Sequence, residues 1–135
     1  MITLTPILLE VTLPADLSAI AAARSAAAEA CVRHGFTALA EPVRLCTSEL
    51  VTNAVRHTHT RQVGLRIERT DTGAVRIAVT DDSPHPPRHT HRLPNLAAVS
   101  GRGMHIVANI ATAIGHHRGP GNGKTVWCEL RSEVR

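Results

Sequence analysis

The feature that most restricts this chain is a change of hydrophobic period part-way along it. Between residues 16 and 57 the apolar side chains recur at helical spacing; from 63 to 79, and again from 126 to 130, they fall on every second residue. Period 3.6 and period 2 cannot be served by one kind of element, so helices and strands must share one core. Leu17, Ile20, Ala23, Ala27 and Cys31 trace the inner face of a first helix, with Asp16 as N-cap and Gly35 just past its end. Glu41-Pro42 opens a second helix whose apolar side is Val43, Leu50, Val51, Ala54 and Val55. Val63, Leu65, Ile67 and then Val75, Ile77, Val79 alternate with polar residues, and Thr70-Asp71-Thr72-Gly73 joins them as a hairpin.

The flanks complete the pattern. Ile2–Leu4 and Ile7–Leu13, parted by Pro6, read as edge strands. After Asp81 the periodicity vanishes, and four of the eight prolines crowd into 84–94. A loop of that length in so small a chain reads as a functional lid, spanning about 82–100. Met104, Val107, Ile110 or Ala111, and Ile114 are expected to form the buried stripe of a third helix. Gly119 to Gly123 then turns into a last strand through Val126, Cys128 and Leu130, the second of a pair. The expected fold is α+β: a two-layer sandwich with a mixed, mostly antiparallel sheet, three helices on one face, and one domain over residues 1–135.

Composition narrows the function. The chain has no Tyr, one Phe and one Trp, so the core is aliphatic and a stacking platform for single-stranded nucleic acid is excluded. The net charge is +4 and fourteen of the fifteen basic residues are Arg, which favours anionic partners; an Arg-biased genome explains it equally well. No helix clusters Arg or Lys, so a duplex-binding role is not expected. Cys31, Cys46 and Cys128 are far apart and lie among apolar neighbours, which reads as buried thiols in a reducing compartment. The start of the chain lacks a signal-peptide pattern, and no run approaches the ~20 apolar residues of a membrane span. A cytoplasmic protein with no membrane attachment is expected.

Four segments can carry chemistry. Glu49, Asn53 and His57 fall at i, i+4 and i+8 and share a polar stripe on the second helix. The Asn53 carbonyl suits Mg²⁺, and Glu49 one turn earlier suits a general base; a solvated helix face would explain the stripe as well. The strand ending in Val79-Thr80-Asp81-Asp82-Ser83-Pro84 delivers a carboxylate able to accept from an exocyclic amine such as adenine's, or simply makes an Asx turn. Ser100-Gly101-Arg102-Gly103-Met104 opens a helix with bare glycines, fit for an anion or for a hinge. Gly121-Asn122-Gly123-Lys124-Thr125 imitates a Walker phosphate loop, but Arg118 stands at its first glycine and a strand follows where a helix is required. His85, His89 and His91 in the lid, with His57 and His59, find no Cys or carboxylate at ligand spacing, so a histidine metal site is not expected. No Gly-x-Ser-x-Gly elbow is present either.

Together these segments resemble the ATP-binding domain shared by gyrase-type topoisomerases, heat-shock chaperones, histidine kinases and mismatch-repair ATPases. The closest resemblance is to short stand-alone proteins related to the anti-sigma-factor serine kinases. Ser48–His57 resembles the family's asparagine box, Asp81–Pro86 its first glycine box with Ser83 in place of Gly, Gly101–Met104 the second and Gly121–Thr125 the third. The resemblance implies the histidine-kinase-like ATPase fold and an ATP site. In that site Asn53 would hold Mg²⁺, Glu49 would be the catalytic base, and Asp81 would read the adenine amine. Gly101, Arg102 and Gly103 would hold the phosphates, Thr125 would support the adenine end, and His57, Ser83 and Met104 would complete the pocket. It further implies a serine/threonine protein kinase that switches between a sigma factor and an anti-sigma antagonist, and a possible homodimer. The alternative is a non-catalytic, ATP-dependent interaction module. His85 stands where long-lid relatives carry a second glycine, so lid motion would differ. No phospho-acceptor helix pair precedes the domain, so a complete sensor kinase is not expected.

Overall fold

The computed structural model describes residues 6–57, 60–70, 73–81, 102–118 and 123–132. The expected strand at Ile2–Leu4, the lid, and the turn at 119–122 lie outside the described residues. The chain runs β1 (Ile7–Pro14), α1 (Leu17–Arg33), a short 3-10 turn (Thr37–Leu39), α2 (Ala40–His57), β2 (Gln62–Arg69) and β3 (Val75–Asp81). It continues as α3 (Arg102–Ile110), β4 (Ala113–Arg118) and β5 (Lys124–Leu130). The sheet has five strands in the order β1-β2-β3-β5-β4, and every described pairing is antiparallel. α2 packs on β2, β3 and β5, α1 on α2 and β1, and α3 on α2, so the helices form one layer. No described helix is long and apolar enough to cross a membrane.

Local chemistry explains the element ends. Asp16, in extended conformation, accepts from the backbone N–H of Ala19 at 3.2 Å and caps α1. At the other end Gly35 takes φ +87°, letting Phe36 N–H reach the Cys31 carbonyl at 2.7 Å and Gly35 N–H the Val32 carbonyl at 3.3 Å, which is a Schellman termination. The β2–β3 hairpin closes through Thr70 N–H to the Ala74 carbonyl at 2.8 Å, with Gly73 at φ +83°.

Two expectations need correction. Leu17 does not face the core: it is 66% exposed, and the buried stripe of α1 is Ala19, Ala23, Ala27, Ala30 and Cys31. Ile114 is not helical. α3 stops at Ile110 because the Thr112 N–H is taken by the Glu129 carbonyl at 2.8 Å, which draws the chain into the sheet, and Ile114 pairs with Cys128 in β4.

The core lies between the layers: Val43, Leu50 and Val51 of α2 meet Val63, Leu65, Ile67, Val75, Ile77 and Cys128 of the sheet. The opposite sheet face is polar. Glu68 lies 3.4 Å from Arg66 and 3.9 Å from Arg76, and Arg76 Nε also donates to Glu129 at 2.8 Å.

Candidate functional site

On α2, Asn53 is 6% exposed and Glu49, one turn earlier, is half-buried. The polar stripe is therefore not fully solvated at Asn53. Its amide oxygen Oδ1 is buried and has no hydrogen-bond partner among the described residues. An unpaired buried acceptor costs about 1–3 kcal/mol, so a polar partner brought to it would be favoured. Thr47 Oγ1, deeper on the same helix, is also buried and unpaired among the described residues.

β3 delivers Asp81 to the same layer. Its side chain alternates in phase with Val75, Ile77 and Val79, all buried against the helices, and it is 4% exposed. Its register partner in β5 is Lys124, whose Nζ donates to Asp81 Oδ2 at 3.0 Å. With both side chains withdrawn from water, at 15% and 4% exposure, this pair is unlike the half-exposed Arg–Glu contacts on the other face. Removing one partner of such a buried pair typically costs about 3–5 kcal/mol, since the other charge is stranded.

Lys124 is the residue that the motif-based reading missed. Val126, Cys128 and Leu130 face the core, so even-numbered positions of β5 point inward, and Lys124 with them. Thr125 points the other way: its Oγ1 meets Thr80 Oγ1 at 2.8 Å on the opposite sheet face. The structure thus does not bring Thr125 to Asp81. It places Thr125 instead in a concavity of about 420 Å³ on that outer face, with Thr80, His117, Trp127 and Arg76. This hollow is separated by the sheet from Asn53 and Asp81.

Of the remaining expected site residues, Ser83 and Gly101 lie outside the described residues. So do the side chains of His57, Arg102 and Met104. The backbone of Arg102, Gly103 and Met104 forms the first turn of α3, as the glycine-flanked helix opening predicts.

Among the described residues no cluster of three His, Cys, Asp or Glu side chains could hold a metal unaided. A Mg²⁺ ion that keeps its waters and is carried chiefly by substrate phosphates asks less of the protein. One hard oxygen such as Asn53 Oδ1 fits that demand. The three cysteines are buried free thiols. Burial pushes the Cys31 thiol up to about 11, and a hydrogen bond to Cys46, with burial, pushes Cys128 well above the ordinary thiol range.

The family described as "Histidine kinase-like ATPase domain" matches residues 13–129, from the end of β1 into β5. The chain belongs to that family. No curated protein matches it. In this histidine-kinase-like ATPase domain the buried polar side chains among the described residues are Thr47 and Asn53 on α2 and Asp81 at the end of β3, the last paired with the largely covered Lys124 of β5.

Proposed function

We propose that this protein is an ATP-binding regulator that acts as a serine/threonine protein kinase of the anti-sigma-factor type, partitioning between a sigma factor and its antagonist. The observation that carries the ATP reading is the buried Asn53 Oδ1 without a described partner, on a helix inside the family-matched region. The partner assignment is supported by the resemblance of Ser48–His57, Asp81–Pro86, Gly101–Met104 and Gly121–Thr125 to the boxes of the short anti-sigma kinases.

In this reading Asn53 helps to hold Mg²⁺, which would neutralise charge on the transferring phosphoryl group. Glu49 accepts the proton of a partner's Ser or Thr hydroxyl. The hydroxyl oxygen then forms a bond to the γ-phosphorus as the bond to the ADP oxygen breaks, giving a phosphoester and ADP. Glu49 is suited to this because it sits one helical turn from Asn53 and is only half-buried.

Calorimetric titration with ATP, with and without Mg²⁺, tests the pocket. Magnesium-dependent binding that Asn53→Ala weakens about tenfold or more supports it, by loss of one charge-assisted contact. Glu49→Gln then separates kinase from binder: it abolishes phosphotransfer to an antagonist while ATP affinity stays. If Glu49→Gln leaves partner control intact and no phosphoprotein forms with the native chain, the protein is a nucleotide-gated interaction module. Absence of ATP binding to the native chain would sink both readings.

A further inference from the structure

Lys124 is the only lysine among fifteen basic residues. In a chain that uses Arg everywhere else, this ammonium stands on the buried sheet face against Asp81. The two cations differ in ways that matter here. A guanidinium would clamp the carboxylate through a rigid planar fork, whereas an ammonium is compact and has three rotatable protons to share between neighbours. On the outer face Arg76 turns two guanidinium nitrogens, Nε and Nη2, onto one oxygen of Glu129.

We propose that Lys124 is a base-specificity residue of the ATP site, reading the adenine ring together with Asp81. The proposal rests on the ATP reading above and extends it. The Watson–Crick edge of adenine sets an amine donor, N6, beside a ring acceptor, N1. The protein sets an acceptor, the Asp81 carboxylate, beside a donor, the Lys124 ammonium, with 3.0 Å between their polar atoms. Asp81 accepts from N6 and Lys124 donates to N1. The pairing also removes an electrostatic obstacle. A buried Asp81 alone would repel a ligand that carries several negative charges, and Lys124 cancels its charge. A hydrogen bond from a charged group separates matched from mismatched ligands strongly, because the mismatch leaves that group facing carbon.

The test compares ATP with 1-deaza-ATP, in which N1 is replaced by CH while N6 is kept, on the native chain and on Lys124→Met. The native chain is expected to bind ATP about tenfold or more tightly than the analogue. In Lys124→Met the ratio collapses to within about threefold, with most of the loss falling on ATP. Lys124→Met also breaks the ion pair to Asp81, so a second readout uses the native chain alone. Because the chain has one lysine, isotopically labelled lysine yields a single side-chain NMR signal. That signal is expected to move on ATP addition and to move much less with 1-deaza-ATP. ATP binding with equal affinity for both nucleotides and an unmoved lysine signal overturns the proposal and leaves the ATP reading standing. No binding of ATP to the native chain overturns both. If Lys124→Met does not fold, the native-chain comparison decides.

Discussion

Gly115 of β4 lies opposite Trp127 of β5 on the outer sheet face, and the indole fills the space where a side chain would be. A Cβ at 115 would fall 2.5 Å from Cζ2 and 2.8 Å from Cε2 of that ring, well inside the ~3.5–4.0 Å of ordinary carbon contact. Gly115→Ala must therefore push β4 away or swing the ring off the sheet. The ring is half-buried, so swinging it out is cheaper than breaking the ladder to β5. What is lost is the stacking of Arg76, whose guanidinium carbon lies 4.9 Å from the ring centroid, and the ring's cover over β4. The first contributes about 0.5–1 kcal/mol; uncovering roughly 40 Å² of apolar surface adds about 1 kcal/mol. Replacing glycine within a strand returns about 0.5 kcal/mol. The net expectation is a destabilisation of about 1–1.5 kcal/mol. Trp127 is the only Trp and there is no Tyr, so urea unfolding followed by intrinsic fluorescence reads this site directly. The folded variant should also emit further to the red. In a Trp127→Leu background, followed by circular dichroism, Gly115→Ala should turn neutral or slightly stabilising. An equal cost in both backgrounds would refute the clash as the cause.

Other expectations concern stability. Asp16→Ala removes the α1 cap seen at Ala19 N–H and should lower unfolding free energy by about 1 kcal/mol; an unchanged urea midpoint would remove the cap's role. Thr47→Val replaces a fully buried hydroxyl that has no described partner, so stability should rise by about 1 kcal/mol, whereas a fall would show the hydroxyl to be satisfied in solution. Cys31 has its folded pKa raised from 9.0 to about 11. Its contribution is fully present below pH 9.0 and is lost as pH rises towards about 11, because the unfolded thiol ionises first. Urea midpoints measured from pH 8 to pH 11 should fall more steeply for the native chain than for Cys31→Ala.

The fold was legible wherever one period held for several turns or pairs. The hairpin of β2 and β3, the Asp16 cap and the Gly35 termination are all local, and all stand in the structure. Three features were not local. Alanine is nearly indifferent to burial, so a helix as Ala-rich as α1 cannot be oriented by its few larger side chains, and Leu17 misled for that reason. The end of α3 is set by a bond from Thr112 to Glu129, a residue seventeen positions later. The insertion of β5 between β3 and β4 is a matter of pairing partners, on which alternation along one strand is silent.

The candidate site shows the same division more sharply. Motif likeness pointed to Thr125, while side-chain parity along β5 points to Lys124, and parity prevails because it is a consequence of backbone geometry. Once Val126, Cys128 and Leu130 face the helices, Lys124 must as well, and Thr125 cannot. What parity alone leaves open is which residue Lys124 meets. The antiparallel register answers that by setting it across from Asp81, itself in phase with Val75, Ile77 and Val79. An inward carboxylate and an inward ammonium on neighbouring strands, beneath a helix bearing a buried Asn53, each cost desolvation that apolar residues would avoid. A core built for stability alone would place Val or Leu at these positions, as it does two residues along in both strands, at Val79 and Val126. The polar choice is therefore best understood through what can be brought against these groups, and the comparison of ATP with 1-deaza-ATP probes that at the atom where Lys124 would act.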